Sequence, residues 1–166
     1  MENDIIVIAH NLRSCNNVGS ILRTAEGLGV KTVYLTGYTP YPSEKNDIRL
    51  PYIREKLDKK IIKTSLGAER LVKWQHDENI FNVINHLKKN NYEILALEQN
   101  ENSIELQDFK AKNKVTFILG REVEGIENDV LEIVDQIISI PMLGKKESFN
   151  VAQAMAMMTF KLRYYN

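Results

Sequence analysis

Five short apolar runs in a chain of 166 residues constrain its fold more than any other feature. Residues 5–9, 31–36, 92–97, 115–119 and 136–140 carry the apolar and β-branched usage of buried strands, and helical or irregular segments separate them. Strands spaced in this way belong in a mostly parallel sheet, because a parallel neighbour is reached through a crossover that lays a helix over a face. The chain therefore reads as an α/β fold with helices on both faces of the sheet. A domain near this length buries about 70% of its unfolded surface, which is enough for one core. No Ser/Gly/Pro-rich tract interrupts the chain, so residues 1–166 are expected to form a single domain. Ligands of such sheets bind outside the carboxyl ends of the strands. Three of those ends carry unusual sequence: the stretch after the first strand, residues 120–126 after the fourth and residues 141–150 after the fifth.

Between the strands, Val18, Ile21, Leu22, Ala25 and Leu28 fall on one helical face, which Asn17 is placed to cap and Gly29 to terminate. Residues 37–74, with Pro40, Pro42, Pro51 and many charges, show no period and read as loops and short helices. Asp77 is placed to cap a helix carrying Ile80, Phe81, Ile84 and Leu87, with Lys88 and Lys89 in its last turn, where cations suit the dipole. A short helix is expected over residues 128–134, and Pro141 stops the fifth strand. The last helix, residues 150–164, puts Val151, Ala154, Met155, Met158 and Leu162 on one face.

Composition excludes several classes. A single cysteine, Cys15, staples nothing, and neither an export signal nor a membrane-length apolar run is present, which points to the cytoplasm and away from a membrane. The 22 basic residues balance 22 acidic ones, so any polyanion must be met by a local patch. Gly27-Leu28-Gly29 lacks the third glycine of a dinucleotide turn and ends a helix instead of opening one, and no Walker sequence exists. His10, His76 and His86 are not paired at ligand spacing, so no metal site is expected. No Gly-x-Ser-x-Gly nucleophile turn occurs.

Three constellations remain. Residues 16–25 read Asn16-Asn17-Val18-Gly19-Ser20-Ile21-Leu22-Arg23-Thr24-Ala25, residues 118–126 include Gly120-Arg121-Glu122-Val123-Glu124-Gly125, and residues 140–152 include Ile140-Pro141-Met142 and Ser148-Phe149-Asn150. Each has an ordinary structural reading as a capped helix, a polar strand-to-helix turn, or a helix start capped by Ser148 or Asn150. Together, in this order and spacing, they resemble the N-x-G-x-x-x-R, G-x-E-x-x-G and I-P-M…S-x-N motifs of the TrmH/SpoU branch of the SPOUT RNA methyltransferases. The resemblance spans nearly the whole chain.

The resemblance implies a fold whose C-terminal part is tied in a trefoil knot, a homodimer, and S-adenosyl-L-methionine as cofactor. It implies methylation of a ribose 2′-hydroxyl in RNA, with transfer RNA favoured over ribosomal RNA and no role for DNA. By position it places Leu97, Gly120, Ile140, Met142, Ser148 and Phe149 around the cofactor, with Gly120 and Gly144 allowing close approach of the backbone. It places Arg23, Asn17, Glu122 and Asn150 at the reacting hydroxyl. Arg23, in the second turn of its helix, would bind a phosphate and stabilise the developing alkoxide, with action as a base left open. Asn17 would orient Arg23 or the ribose, Glu122 would anchor its loop or an arginine, and Asn150 would bond near the hydroxyl. Lys45, Arg49, Arg54, Lys56, Lys59, Lys60 and Lys63, with Lys145 and Lys146, are candidate RNA contacts, and Met155, Met158 and Tyr164 a candidate dimer surface. The first motif lacks the proline common in relatives, and Phe149 replaces the usual leucine; neither change removes a reacting group. Rival readings are a non-catalytic RNA-binding protein of the same fold, a dehydrogenase-like nucleotide binder, and a base-methylating SPOUT enzyme. The intact motif residues and the missing glycine fingerprint argue against the first two; the N-x-G-x-x-x-R and S-x-N residues favour ribose over base.

Overall fold

A computed structural model describes residues 3–166. Seven strands, β1 (Asp4–His10), β2 (Thr32–Thr36), β3 (Trp74–Asp77), β4 (Glu93–Leu97), β5 (Ile104–Glu105), β6 (Lys114–Leu119) and β7 (Gln136–Ser139), form one sheet in the order β3-β2-β1-β6-β4-β7-β5. Every neighbouring pair is parallel. Five helices cover it: α1 (Cys15–Gly27), α2 (Pro51–Ser65), α3 (Ile80–Lys89), α4 (Asn128–Leu131) and α5 (Val151–Tyr164).

Alternation along the strands divides the core in two. Ile5, Val7 and Ala9 of β1 face one cluster with Val18, Ile21 and Leu22 of α1, Ile61 of α2, and Met155, Met158 and Leu162 of α5. Ile6 and Ile8 face the other, with Ile80, Val83, Ile84 and Leu87 of α3 and Val130 of α4. Helices thus lie on both faces, as the apolar runs predict.

The five expected strands are present and two more join them. β3 reads Trp-Gln-His-Asp and lies at the sheet edge, half-buried and polar, so no apolar run marks it. β5 is two exposed residues at the opposite edge. The segment read as loops and short helices contains a helix of 15 residues, α2, which buries only Ile61 and Ser65 fully and carries seven charged residues. Ser14, not Asn17, caps α1, accepting from the Asn17 amide; this moves Arg23 from the second turn to the third. Asn79, not Asp77, caps α3. Met155 and Met158 are fully buried against the sheet and are unavailable to a partner, whereas Tyr164 is exposed. Arg49 is also committed elsewhere: it pairs with Asp47, holding that carboxyl well below the usual range, and lies 3.6 Å over the Tyr41 ring.

Two close approaches shape what surrounds the carboxyl ends of the strands. A Cβ on Gly19 would lie 2.1 Å from Thr64 Oγ1 and 2.3 Å from the Ile61 carbonyl oxygen, so glycine in the first motif lets α1 and α2 cross in contact. After β4, residues 98–103 pass the end of β7 to reach β5 on its far side, since Leu97 and Ile104 both pair with Ile138. Gln99 Nε2 donates to the Ile140 carbonyl at 2.7 Å across that crossing.

Candidate functional site

The three motifs, far apart in sequence, meet in one hydrogen-bonded chain. Asn150 caps α5, its Oδ1 accepting from the Ala152 amide at 3.0 Å. That leaves Asn150 Nδ2 to donate to Asn17 Oδ1 at 3.1 Å, and Asn17 Nδ2 to donate to Glu122 Oε1 at 3.1 Å. The helix cap therefore fixes the direction of the whole chain: an amide has one accepting and one donating end, so each asparagine's orientation follows from its neighbour's. Asn17 is half-buried, and Asn150 and Glu122 are exposed, so the chain lies where solvent or a ligand reaches it.

The second motif is a closed loop. Arg121 and Gly125 exchange backbone hydrogen bonds, the Arg121 amide to the Gly125 oxygen at 3.2 Å and the Gly125 amide to the Arg121 oxygen at 3.1 Å. Gly125 has φ +71°, and a Cβ there would meet Glu98 Oε2 at 2.4 Å; that same oxygen accepts the Ile126 amide at 2.9 Å. A Cβ on Gly120 would meet Gly125 and Ile126 backbone atoms at 2.7 Å. The glycine at 120 is thus required by the packing of its own loop. Gly144 has open space around it and no such requirement.

Beside this loop a cleft of about 550 Å³ opens between the ends of β4 and β6 and the start of α5. Of the residues expected around a cofactor, Leu97, Gly120, Ile140, Ser148 and Phe149 line it, and Met142 does not. Glu122 and Asn150 line it as well, so the two ends of the asparagine chain lie on the wall of the cleft and Asn17 bridges them. Arg23 stands apart. It is exposed, roughly 9 Å along α1 from Asn17, and its guanidinium has no hydrogen bond or ion pair among the described residues. The side-chain partners of Asn17 are Asn150 and Glu122.

Sequence reasoning missed a second polar group behind the cleft. Asn11, at φ +54°, donates to Glu127 Oε1 at 2.8 Å and contacts His10 Nε2 at 3.0 Å, while Arg121 Nη2 lies 3.4 Å from Glu127 Oε1. Burial pushes the His10 imidazole below its ordinary value and the Arg121 charge adds to this, against the opposing pull of Glu127. Burial alone would raise Glu127, but the Asn11 hydrogen bond, its backbone hydrogen bond and the charges beside it hold it below its ordinary value. An asparagine straight after a strand is the one local signal for this group, since Asn tolerates the left-handed backbone. Glu98 and Gln99 also line the cleft and were not anticipated.

Parallel strands with a polar chain and a cleft at their carboxyl ends define an α/β protein whose ligand site is built from loops, not from a glycine-rich phosphate turn. The chain belongs to the SpoU rRNA Methylase family, whose model matches residues 4–160. It is 25% identical over 158 residues to the tRNA (guanosine(18)-2′-O)-methyltransferase of Escherichia coli (strain K12), across 95% of this chain and 62% of that protein, and so spans less than two thirds of that relative. Its fold is similar to that of an AdoMet-bound rRNA methyltransferase from Sinorhizobium meliloti, with TM-score 0.80 and 20% identity over 98% of this chain and 56% of the other. It is also similar to a structure solved to explain 2-OH methylation of C/U34 on tRNA, with TM-score 0.75 and 18% identity over 95% of this chain and 93% of the other. Among the described residues no helix is long and apolar enough to cross a membrane.

Proposed function

We propose that the chain methylates a ribose 2′-hydroxyl of RNA, transfer RNA in particular, with S-adenosyl-L-methionine as methyl donor. The observation that carries this is the hydrogen-bonded chain from Asn150 through Asn17 to Glu122, whose two ends line the cleft. The cleft suits the donor chemically. Leu97, Leu119, Ile140, Phe149, Val151 and Ala154 offer apolar surface to an adenine, while the carboxylates of Glu98 and Glu122 suit a cationic ligand. When bound, the cofactor supplies an activated methyl on a sulfonium. The protein's part is placement and charge. Asn17 and Asn150 hold the Glu122 carboxylate in one orientation at the lip, ready to receive a hydrogen bond from a ribose hydroxyl. Arg23, exposed and without a hydrogen bond or ion pair among the described residues, would bind the phosphate of a neighbouring nucleotide.

The relatives favour transfer RNA: one is named for guanosine 18 of tRNA, and the structure concerned with C/U34 of tRNA is matched over 93% of its own length. A trefoil knot in the C-terminal part is supported by residues 98–103 crossing the end of β7. A homodimer is supported by the exposed ring cluster of Phe160, Tyr164 and Tyr165 at the end of α5.

Titration with S-adenosylhomocysteine by calorimetry tests the cofactor site, and tritium transfer to bulk transfer RNA tests the reaction. Wild type is expected to bind and transfer; Phe149→Ala weakens binding, and Asn17→Ala slows transfer about 10- to 100-fold with binding little changed. No binding at millimolar ligand together with no transfer would reject the enzyme and leave an RNA-binding protein of this fold.

A further inference from the structure

We propose that the outward face of α2 is the track along which RNA reaches the cleft, with Lys56, Lys59, Lys60 and Lys63 contacting phosphates and Tyr52 stacking on an unpaired base. The proposal rests on the reading of the chain as an RNA methyltransferase and assigns that reading a surface. At 3.6 residues per turn these five residues fall within an arc of roughly 100°. All five are exposed, and the arc points away from Ile61 and Ser65, the two residues α2 buries fully. None of the four ammonium groups has an ion pair or side-chain hydrogen bond among the described residues.

The acidic residues of the helix do not neutralise this face. Asp58 is turned toward Ser43, accepting from its amide at 2.9 Å, and Glu55 lies to one side of the arc. Other basic side chains nearby are already engaged. Arg49 is bound to Asp47 and Tyr41, and Arg54, half-buried, donates to the Asp47 carbonyl at 3.4 Å. In a molecule whose charges sum to zero, four unpaired lysines on one helical face are a strong local asymmetry.

Geometry ties the ridge to the site. Thr64 Oγ1 donates to the Asn16 carbonyl at 2.9 Å, next to Asn17, so the Lys60–Lys63 end of the ridge lies at the first motif. Tyr52, 66% exposed, stands roughly 16 Å further out along the helix. A membrane surface is the poorer partner, because a helix that lies in a bilayer must free its apolar face, and the apolar face of α2 is packed on α1.

The test is the salt dependence of binding to unfractionated transfer RNA, followed by fluorescence anisotropy from about 50 to 300 mM KCl. Each phosphate contact contributes about 0.7 to 0.9 to the slope of log K against log salt, so replacing all four lysines by glutamine is expected to flatten the slope by about 3. A control with Lys73→Gln, Lys89→Gln and Lys110→Gln, all exposed and remote from the carboxyl ends of the strands, is expected to change it by less than about 1. Tyr52→Ala is expected to weaken binding about tenfold without altering the slope. S-adenosylhomocysteine affinity, unchanged in every variant, reports an intact fold. If wild type transfers methyl to RNA but the quadruple variant keeps its slope and affinity, the track is overturned while the methyltransferase reading stands. If wild type neither binds RNA nor transfers methyl, both fail.

Discussion

Asn150 does two jobs with one amide, and separating them is informative. Asp is as good a helix cap as Asn, so Asn150→Asp keeps the Ala152 amide satisfied. It removes the donor to Asn17 Oδ1, forcing the Asn17 amide to turn its oxygen toward the Glu122 carboxylate. Methyl transfer by Asn150→Asp is therefore expected to fall at least tenfold, with the thermal midpoint within a few degrees of wild type. Glu122→Gln alone loses the carboxylate, but combined with Asn150→Asp it supplies a donor for the turned oxygen, so the double variant should be more active than the product of the two single effects; a double variant no better than that product would show that the chain is not a unit. The His10 group makes a second residue-scale prediction. Its folded value lies below its ordinary one, so the unfolded chain takes up the extra proton first and stability rises with pH. The stabilisation is complete above about pH 6.5 and is lost as pH falls through the folded value. Urea midpoints measured from about pH 7.5 down to 5 should decline for wild type and stay flatter for His10→Gln. Equal slopes would mean that the imidazole is not held neutral.

Among the elements, the crossing of α1 and α2 is the most sensitive to one atom. Gly19→Ala places a Cβ within 2.3 Å of the Ile61 carbonyl, which cannot swing away as the Thr64 side chain can. Overpacking of this kind costs about 1–3 kcal/mol by urea denaturation, whereas Gly144→Ala, with open space, should stay within about 0.5 kcal/mol. The same elements show where sequence stops informing. β1, β2, β4, β6 and β7 were legible because the buried positions of an interior strand carry apolar or β-branched side chains. β3 was not, because an edge strand with Gln75 and His76 solvated in part carries no such run. α2 was hidden because two fully buried residues suffice to seat it, leaving its pattern dominated by the solvated lysines. The caps of α1 and α3 were misplaced by two or three residues, since Ser14, Asn17, Asp77 and Asn79 are all competent and only the backbone decides.

For the molecule as a whole, the motif residues Asn17, Glu122 and Asn150 were readable by resemblance, but their mutual bonds were not, because those bonds depend on which loops the sheet order brings together. That His10, Asn11, Arg121 and Glu127 would form one group was hidden for the same reason. The proposed dimer belongs to this scale as well. The end of α5 is held rigidly: Arg163 donates to the carbonyls of Leu28 at 3.1 Å, Gly29 at 2.7 Å and Asn3 at 2.8 Å. Its other side presents Phe160, Tyr164 and Tyr165, exposed by 48%, 61% and 66%, with ring centroids 4.9 and 5.7 Å from Phe160. If each half-exposed ring buries about 100 Å², two copies meeting about a twofold axis bury about 600 Å² through these rings. That is more than half of the roughly 1,000 Å² needed for a stable interface, so neighbouring surface has to supply the remainder. Sedimentation at micromolar concentration is expected to give a dimer for wild type and a monomer for Phe160→Glu with Tyr164→Glu, because four carboxylates would then be forced into an apolar contact. Phe160→Glu with Tyr164→Glu leaves the core residues Met155, Met158 and Leu162 untouched, so S-adenosylhomocysteine binding should survive in the monomer. A wild-type monomer, or a dimer that the two substitutions leave intact, would move the interface away from this end of α5.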